Sequence, residues 1–143
     1  MKIYIASKYI KHSKINRKIF DFLTKKEYDV FLPEAINIEG KTIEEMNLIA
    51  QKCYSAIESS DVILVVAPIG RSVSAEIGYA INNKLKFSNV SIILYRYTNG
   101  ERNIEINEAM IAPFYDYEID ATTMDTNESL NELLDILTSI NNK

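Results

Sequence analysis

The run Val62-Ile-Leu-Val-Val66, apolar without interruption and largely β-branched, restricts the possible folds more than any other stretch of the chain. A strand with one wet face alternates; an unbroken run fills a parallel strand covered on both faces. Pro68 and Gly70 end it. A helical pattern begins near Ser72, where Val73, Ile77, Ala80 and Ile81 fall at i, i+4, i+7 and i+8 and form one buried stripe.

Glu76 lies close to that stripe, one turn into the helix. A capping box centred on it would need Ser or Thr three residues earlier, and position 73 is Val. Two readings remain. One is a carboxylate favoured by the helix dipole or facing solvent, worth about 0.3–1 kcal/mol near an N-terminus. The other is a carboxylate with chemistry to perform, because ligands of open α/β sheets gather beyond the carboxyl ends of the strands, where this junction sets Glu76.

The rest of the chain alternates strand and helix. Met1 to Ala6 reads as a first strand in which Tyr4 suits core and function equally, and Ser7 to Ser13 as a polar loop. Ile15, Ile19, Phe22 and Leu23 give a helical stripe that ends near Lys25-Lys26. Tyr28 to Leu32 is a second strand closed by Pro33, followed by a loop over 33–41. Thr42 with Glu45 forms a capping box opening a helix whose buried stripe is Met46, Ile49, Ala50, Cys53 and Ile57, with Cys53 as a small core residue. Asp61 opens the central strand at its amino end and reads as a turn residue.

Val90 to Tyr95 is a fourth strand, Tyr97 to Asn103 a turn, Ile104 to Ile111 a short helix and Phe114 to Ile119 an edge strand. Asp125 or Thr126 caps a last helix carrying Leu130, Leu133, Leu134, Leu137 and Ile140. The expected architecture is a doubly wound, Rossmann-like or flavodoxin-like α/β fold, with a five-stranded parallel sheet and helices on both faces, forming one domain over 1–143.

A formal net charge of −4 and a pI near 5.1 argue against a general grip on nucleic acid and favour a small ligand. One cysteine makes no internal disulfide, and neither a signal peptide nor a membrane-length apolar run is read, so cytoplasmic residence is the expectation. Neither GxGxxG nor GxxxxGK[ST] occurs, and one His and one Cys match no ligand spacing, so no metal or cofactor is expected. His12, beside Lys11 and Lys14, reads as a solvated loop residue.

Asp61-Val-Ile-Leu-Val-Val66 and Glu76-Ile-Gly-Tyr-Ala80 resemble the signature of the nucleoside 2-deoxyribosyltransferase family, in which a strand opening on Asp precedes Asp-x-Gly-(Thr)-x-x-Glu-(Leu/Ile)-Gly-(Tyr/Trp)-Ala. Lys2 to Ala6 resembles the family's first strand, and Ile106-Asn-Glu-Ala-Met110 a further motif used across a subunit interface. The resemblance implies that Glu76 attacks the anomeric carbon of a nucleoside and leaves a covalent glycosyl-enzyme. Tyr4 would orient that carboxylate, and Asn107 or Glu108 would contact the 5′ end of a sugar held by a neighbouring subunit. Ser7, Cys53, Gly70, Arg71 and Ser72 would line the substrate site.

Gly70 stands where the signature has Asp, Ser72 where it has Gly, Ser74 in place of a second small residue, and Cys53 where relatives place an Asp that assists the leaving base. A thiol is a weak donor and cannot play a carboxyl's part, so either another group assists departure of the base, the substrate is unusual, or the activity is lost. Three functions follow from the resemblance: transfer of the deoxyribosyl group between bases, hydrolysis of 2′-deoxynucleoside 5′-monophosphates, or a silent nucleotide-sensing module. For a phosphate, Ser7, Lys8, Ser13, Arg17, Ser72 and Ser74 are the donors this reading offers. The implied partners are a nucleoside or nucleotide and further copies of the chain sharing the active site, with no nucleic-acid polymer or membrane.

Overall fold

A computed structural model of the chain describes residues 1–8, 11–33, 41–87, 89–98 and 110–143. Five strands, β1 (Lys2–Ser7), β2 (Asp29–Phe31), β3 (Val62–Ala67), β4 (Ser91–Arg96) and β5 (Tyr117–Asp120), form one sheet in the order β2-β1-β3-β4-β5, every pair parallel. Among the described residues four α-helices, α1 (Ser13–Lys25), α2 (Ile43–Glu58), α3 (Arg71–Phe87) and α4 (Thr126–Asn141), connect and flank the strands. The expected doubly wound sheet is what forms.

Its two faces follow from the alternation of β3. Val62, Leu64 and Val66 pack with Ile3, Ile5, Ile93 and Ile119 against Ile15, Ile19 and Leu23 of α1 and Leu130, Leu133 and Leu137 of α4. Ile63, Val65 and Ala67 pack with Tyr4, Ala6, Ile92 and Leu94 against Ile57 of α2 and Val73, Ile77, Ala80 and Ile81 of α3. All six β3 side chains are buried. That is why the run carries no polar residue.

The helix starts are set by local chemistry. Thr42 and Glu45 exchange the two hydrogen bonds of a capping box, at 3.2 and 2.7 Å. Asp125, not Thr126, caps α4, accepting from the N–H groups of Asn127 and Glu128. Asp61 accepts the Lys2 N–H at 2.7 Å and ties β1 to β3 at their amino ends, the turn role its position indicated.

Two expectations are corrected. The proposed α2 stripe is fully buried only at its end: Ile57 is covered, Ile49, Ala50 and Cys53 are half-buried, and Met46 is 37% exposed. The apolar periodicity of its first turns faces outward because α2 meets α3 and the sheet through its last turns. The fifth strand begins at Tyr117 rather than Phe114, which lies in a 3-10 turn over Ala112–Phe114. Asp116 explains the late start, its carboxylate accepting the Ile92 N–H at 2.8 Å and anchoring the chain beside β4. Most of the helix expected over Ile104 to Ile111 lies outside the described residues, as does the loop over 34–40. Among the described residues no helix is long and apolar enough to cross a membrane.

Candidate active site

The sheet order reverses between β1 and β3: from β1 the chain moves outward to β2, and from β3 it moves the other way to β4. Helices α1 and α3 leave that point on opposite faces, which opens a crevice at the carboxyl ends of the strands. The register sets Ala6 and Ser7 of β1 beside Val65 and Val66 of β3, so both strands reach the crevice together.

Glu76 stands one turn into α3, the helix that follows β3, partly buried, with its Oε2 atom fully covered and without a hydrogen-bond partner. Tyr4, wholly buried on β1, stacks on Phe31 with ring centroids 5.5 Å apart, a contact that fixes the ring, and its hydroxyl is close enough to Glu76 to influence that carboxyl. The half-buried Cys53 of α2 completes the group. Three elements thus bring a carboxyl, a phenol and a thiol together. The Tyr4 hydroxyl influences both neighbours, yet it holds no hydrogen bond of ordinary geometry to either.

Burial raises the Glu76 carboxyl from its ordinary 4.5 to about 7, and the Tyr4 hydroxyl pulls partly the other way. Burial, then the nearby Glu76 and Cys53, pushes the Tyr4 phenol far up, so it stays protonated. The Cys53 thiol is also raised, chiefly by burial, and is no thiolate nucleophile at neutral pH. The arrangement can present a carboxylate to an electrophilic carbon, with a neutral donor behind it, in surroundings that exclude part of the solvent.

The other proposed site residues lie around this group. A Cβ on Gly70 would come within 3.1 Å of Lys8 Cε, so the missing side chain lets the Lys8 stem cross the β3–α3 junction. Arg71 and Ser72 occupy the exposed first turn of α3. Ser74, offered as a phosphate donor, donates its hydroxyl to the Gly70 carbonyl at 3.0 Å and is committed locally. Ser7 lies across β1 from Tyr4, its Oγ 3.4 Å from His12 Nδ1. Asn107 and Glu108 lie outside the described residues.

His12 is not the solvated residue its polar neighbours suggest. It is 5% exposed, packed edge-on against Tyr97 with centroids 5.8 Å apart, and forms the N-cap of α1. Asn16, which the sequence reading passed over, is 1% exposed. A signal was present: positions 12, 16, 19 and 23 share one helix face, so the apolar stripe of α1 continues into two polar residues. A cavity of about 660 Å³ lined by Lys84, Asn89, Ser91 and Asp116 lies at the other, amino edge of the sheet. Its charges answer one another, Lys84 pairing with Asp116, and we assign it no chemistry.

No protein-family model and no curated protein matches the chain. Solved structures do. A 2-deoxyribosyltransferase from Bacillus psychrosaccharolyticus superposes with a TM-score of 0.65 at 16% identity, covering 90% of this chain and 96% of that one. The CMP N-glycosidase BcmB of Clostridium botulinum gives a TM-score of 0.55 at 17% identity over 93% of this chain and 97% of that one. A TIR domain of the RPS4 and RRS1 heterodimer gives 0.67 at 9% identity over 98% of both chains. At such identities the likeness is one of architecture, shared with the 2-deoxyribosyltransferase, the N-glycosidase and the TIR domain alike.

Proposed function

We propose that the protein cleaves the N-glycosidic bond of a deoxynucleoside or its nucleotide, with Glu76 as the nucleophile. The observation that carries this reading is a partly buried carboxyl on the helix that follows β3, near enough to the Tyr4 hydroxyl and the Cys53 thiol for the three to influence one another's protonation. A dipole-favoured surface Glu would face water instead. Solved structures of similar fold that include a 2-deoxyribosyltransferase and a CMP N-glycosidase support the same reading.

In the first step one Glu76 oxygen forms a bond to the anomeric carbon while the bond from that carbon to the base nitrogen breaks, its electron pair leaving with the base. The transition state resembles an oxocarbenium ion, which a carboxylate stabilises on approach. A glycosyl ester of Glu76 results. In the second step a new base, or water, attacks the same carbon and releases the carboxylate. Tyr4 holds the carboxyl in line between steps by donating to the oxygen that is not bonded to the sugar. Cys53 bounds the base side as a neutral, weakly donating wall, so the proton taken up by the departing base comes from solvent or the incoming acceptor.

Transfer to a second base is the first reading and hydrolysis the second. Chromatography of free base after incubation with deoxynucleosides or their monophosphates separates them. Release that requires an acceptor base indicates transfer, release in water alone indicates hydrolysis, and binding without release indicates a sensing module. Loss of release in Glu76→Ala with the fold retained is the expected result. Unchanged rates would remove Glu76 from the mechanism.

A further inference from the structure

The groups around Glu76 set a condition on the base that leaves. Glu76 is covered only in part, so a ligand can reach it, while its Oε2 atom is buried without a hydrogen-bond partner. Among the described residues, what acts on this carboxyl is burial and then the Tyr4 hydroxyl, with no Lys or Arg beside them. Lys52, an exposed cation on α2, is the least of the influences on Cys53. Once ionised, Glu76 is therefore a half-buried negative charge with no counter-ion supplied by those residues. Its two companions are neutral, a wholly buried phenol and a half-buried thiol.

Such surroundings treat two kinds of leaving base differently. The base of a neutral N-glycoside carries off the electron pair of the broken bond and is an anion until a proton reaches it. Beside a weakly donating thiol and a phenol engaged with the carboxyl, that anion finds no strong acid in this group. The lack of a placed acid costs about 10²–10⁴-fold in rate. A base whose ring nitrogen is already quaternary has no such need. The electron pair of its C–N bond cancels the positive charge of the ring, and the new bond from Glu76 cancels the charge of the carboxylate. Two opposite charges vanish together, an outcome that partial burial favours because it penalises charge.

We infer that the substrate class is the N-glycoside of a cationic heteroaromatic base, of pyridinium type, whose charge the Glu76 carboxylate first pairs with and then neutralises by displacing the base. One Glu76 oxygen bonds to the anomeric carbon as the C–N bond breaks, and the base departs neutral without taking up a proton. Water then bonds to the same carbon, the ester's electron pair returns to Glu76, and the proton of the water passes to solvent. This deepens the glycosidic reading of Glu76 and rests on it for the displacement, but the charge pairing is measured without turnover.

The first arm of the test is binding. 1-Methylnicotinamide, a pyridinium cation with no glycosidic bond, and neutral nicotinamide are titrated by nuclear magnetic resonance into the wild type and Glu76→Gln at pH 8, above the value of about 7 to which burial raises the carboxyl. We expect the cation to bind the wild type about tenfold or more tightly than its neutral counterpart, and that preference to vanish in Glu76→Gln. The second arm is release of free base, by chromatography, from the 2′-deoxyriboside of nicotinamide and from 2′-deoxycytidine, each corrected for its loss in buffer. Release from the pyridinium compound should be greater by about a hundredfold or more in kcat/KM, the low end of what a missing acid costs. Equal affinities, a preference that survives in Glu76→Gln, or equal or faster release from 2′-deoxycytidine overturns the inference. Where neither compound releases base, the glycosidic reading falls, and the Glu76-dependent preference for the cation decides the inference by itself.

Discussion

Glu76 is costly where it stands. Its folded pKa, about 7, lies above the ordinary 4.5 because burial penalises the charge. The folded state thus holds the proton more tightly than the unfolded one. The stability this contributes is full below the unfolded value and is lost as pH rises toward 7. Glu76→Gln, neutral at every pH, is expected to exceed the wild type by on the order of 3 kcal/mol at pH 8 and by little at pH 4. Urea unfolding at both values checks this, and base release in the same variant should vanish. Because the nucleophile is the ionised form, turnover should rise with pH through about 7, the value to which burial raises this carboxyl. Tyr4 lowers that value, so Tyr4→Phe should move the rising limb of the pH–rate profile upward and slow the plateau by about tenfold, the worth of one hydrogen bond. A limb that does not move would separate Tyr4 from the carboxyl.

The helices divide into ends that the sequence made plain and faces that it did not. Both capping boxes are local, formed within four residues, so their chemistry is visible in the chain itself: Thr42 with Glu45 and Asp125 with Glu128. Asp125→Ala should cost about 1 kcal/mol by thermal denaturation. Gly78, in the interior of α3, has open space where a Cβ would project, so Gly78→Ala should stabilise by about 1 kcal/mol. The α2 stripe misled because periodicity records which residues share a face and not whether anything covers it. Met46 and Ile57, members of one stripe at 37% and 0% exposed, illustrate the difference.

Across the whole molecule, β3 ties the two layers into one cooperative unit. Leu64, fully buried between α1, α4 and the neighbouring strands, should cost about 2–5 kcal/mol when cut to Ala. The exposed apolar start of α2 supports a further proposal, that copies of the chain associate through this face and complete the pocket between them. Sedimentation should then give a dimer or larger species, and Leu48→Lys should shift it toward monomer; a wild type that sediments as monomer would remove the idea. The strands and their order of appearance were readable from Val62 to Val66 and from the alternation of apolar runs, because burial on both faces leaves a compositional trace in each strand. So was the position of Glu76 just beyond a strand end.

The meeting of Tyr4, Cys53 and Glu76 was not readable from composition or spacing. They are drawn from β1, α2 and α3, and nothing short of the sheet's register and the packing of two helices determines which of their atoms face one another. His12 and Asn16 differ in part: their helical spacing with Ile19 and Leu23 put them on the apolar face of α1, while their burial depends on what that face lies against. Local sequence records propensity, caps and the apolar period, each settled within a few residues. Burial, pKa and the company a side chain keeps are settled by groups distant in the chain, and those appear once it has folded.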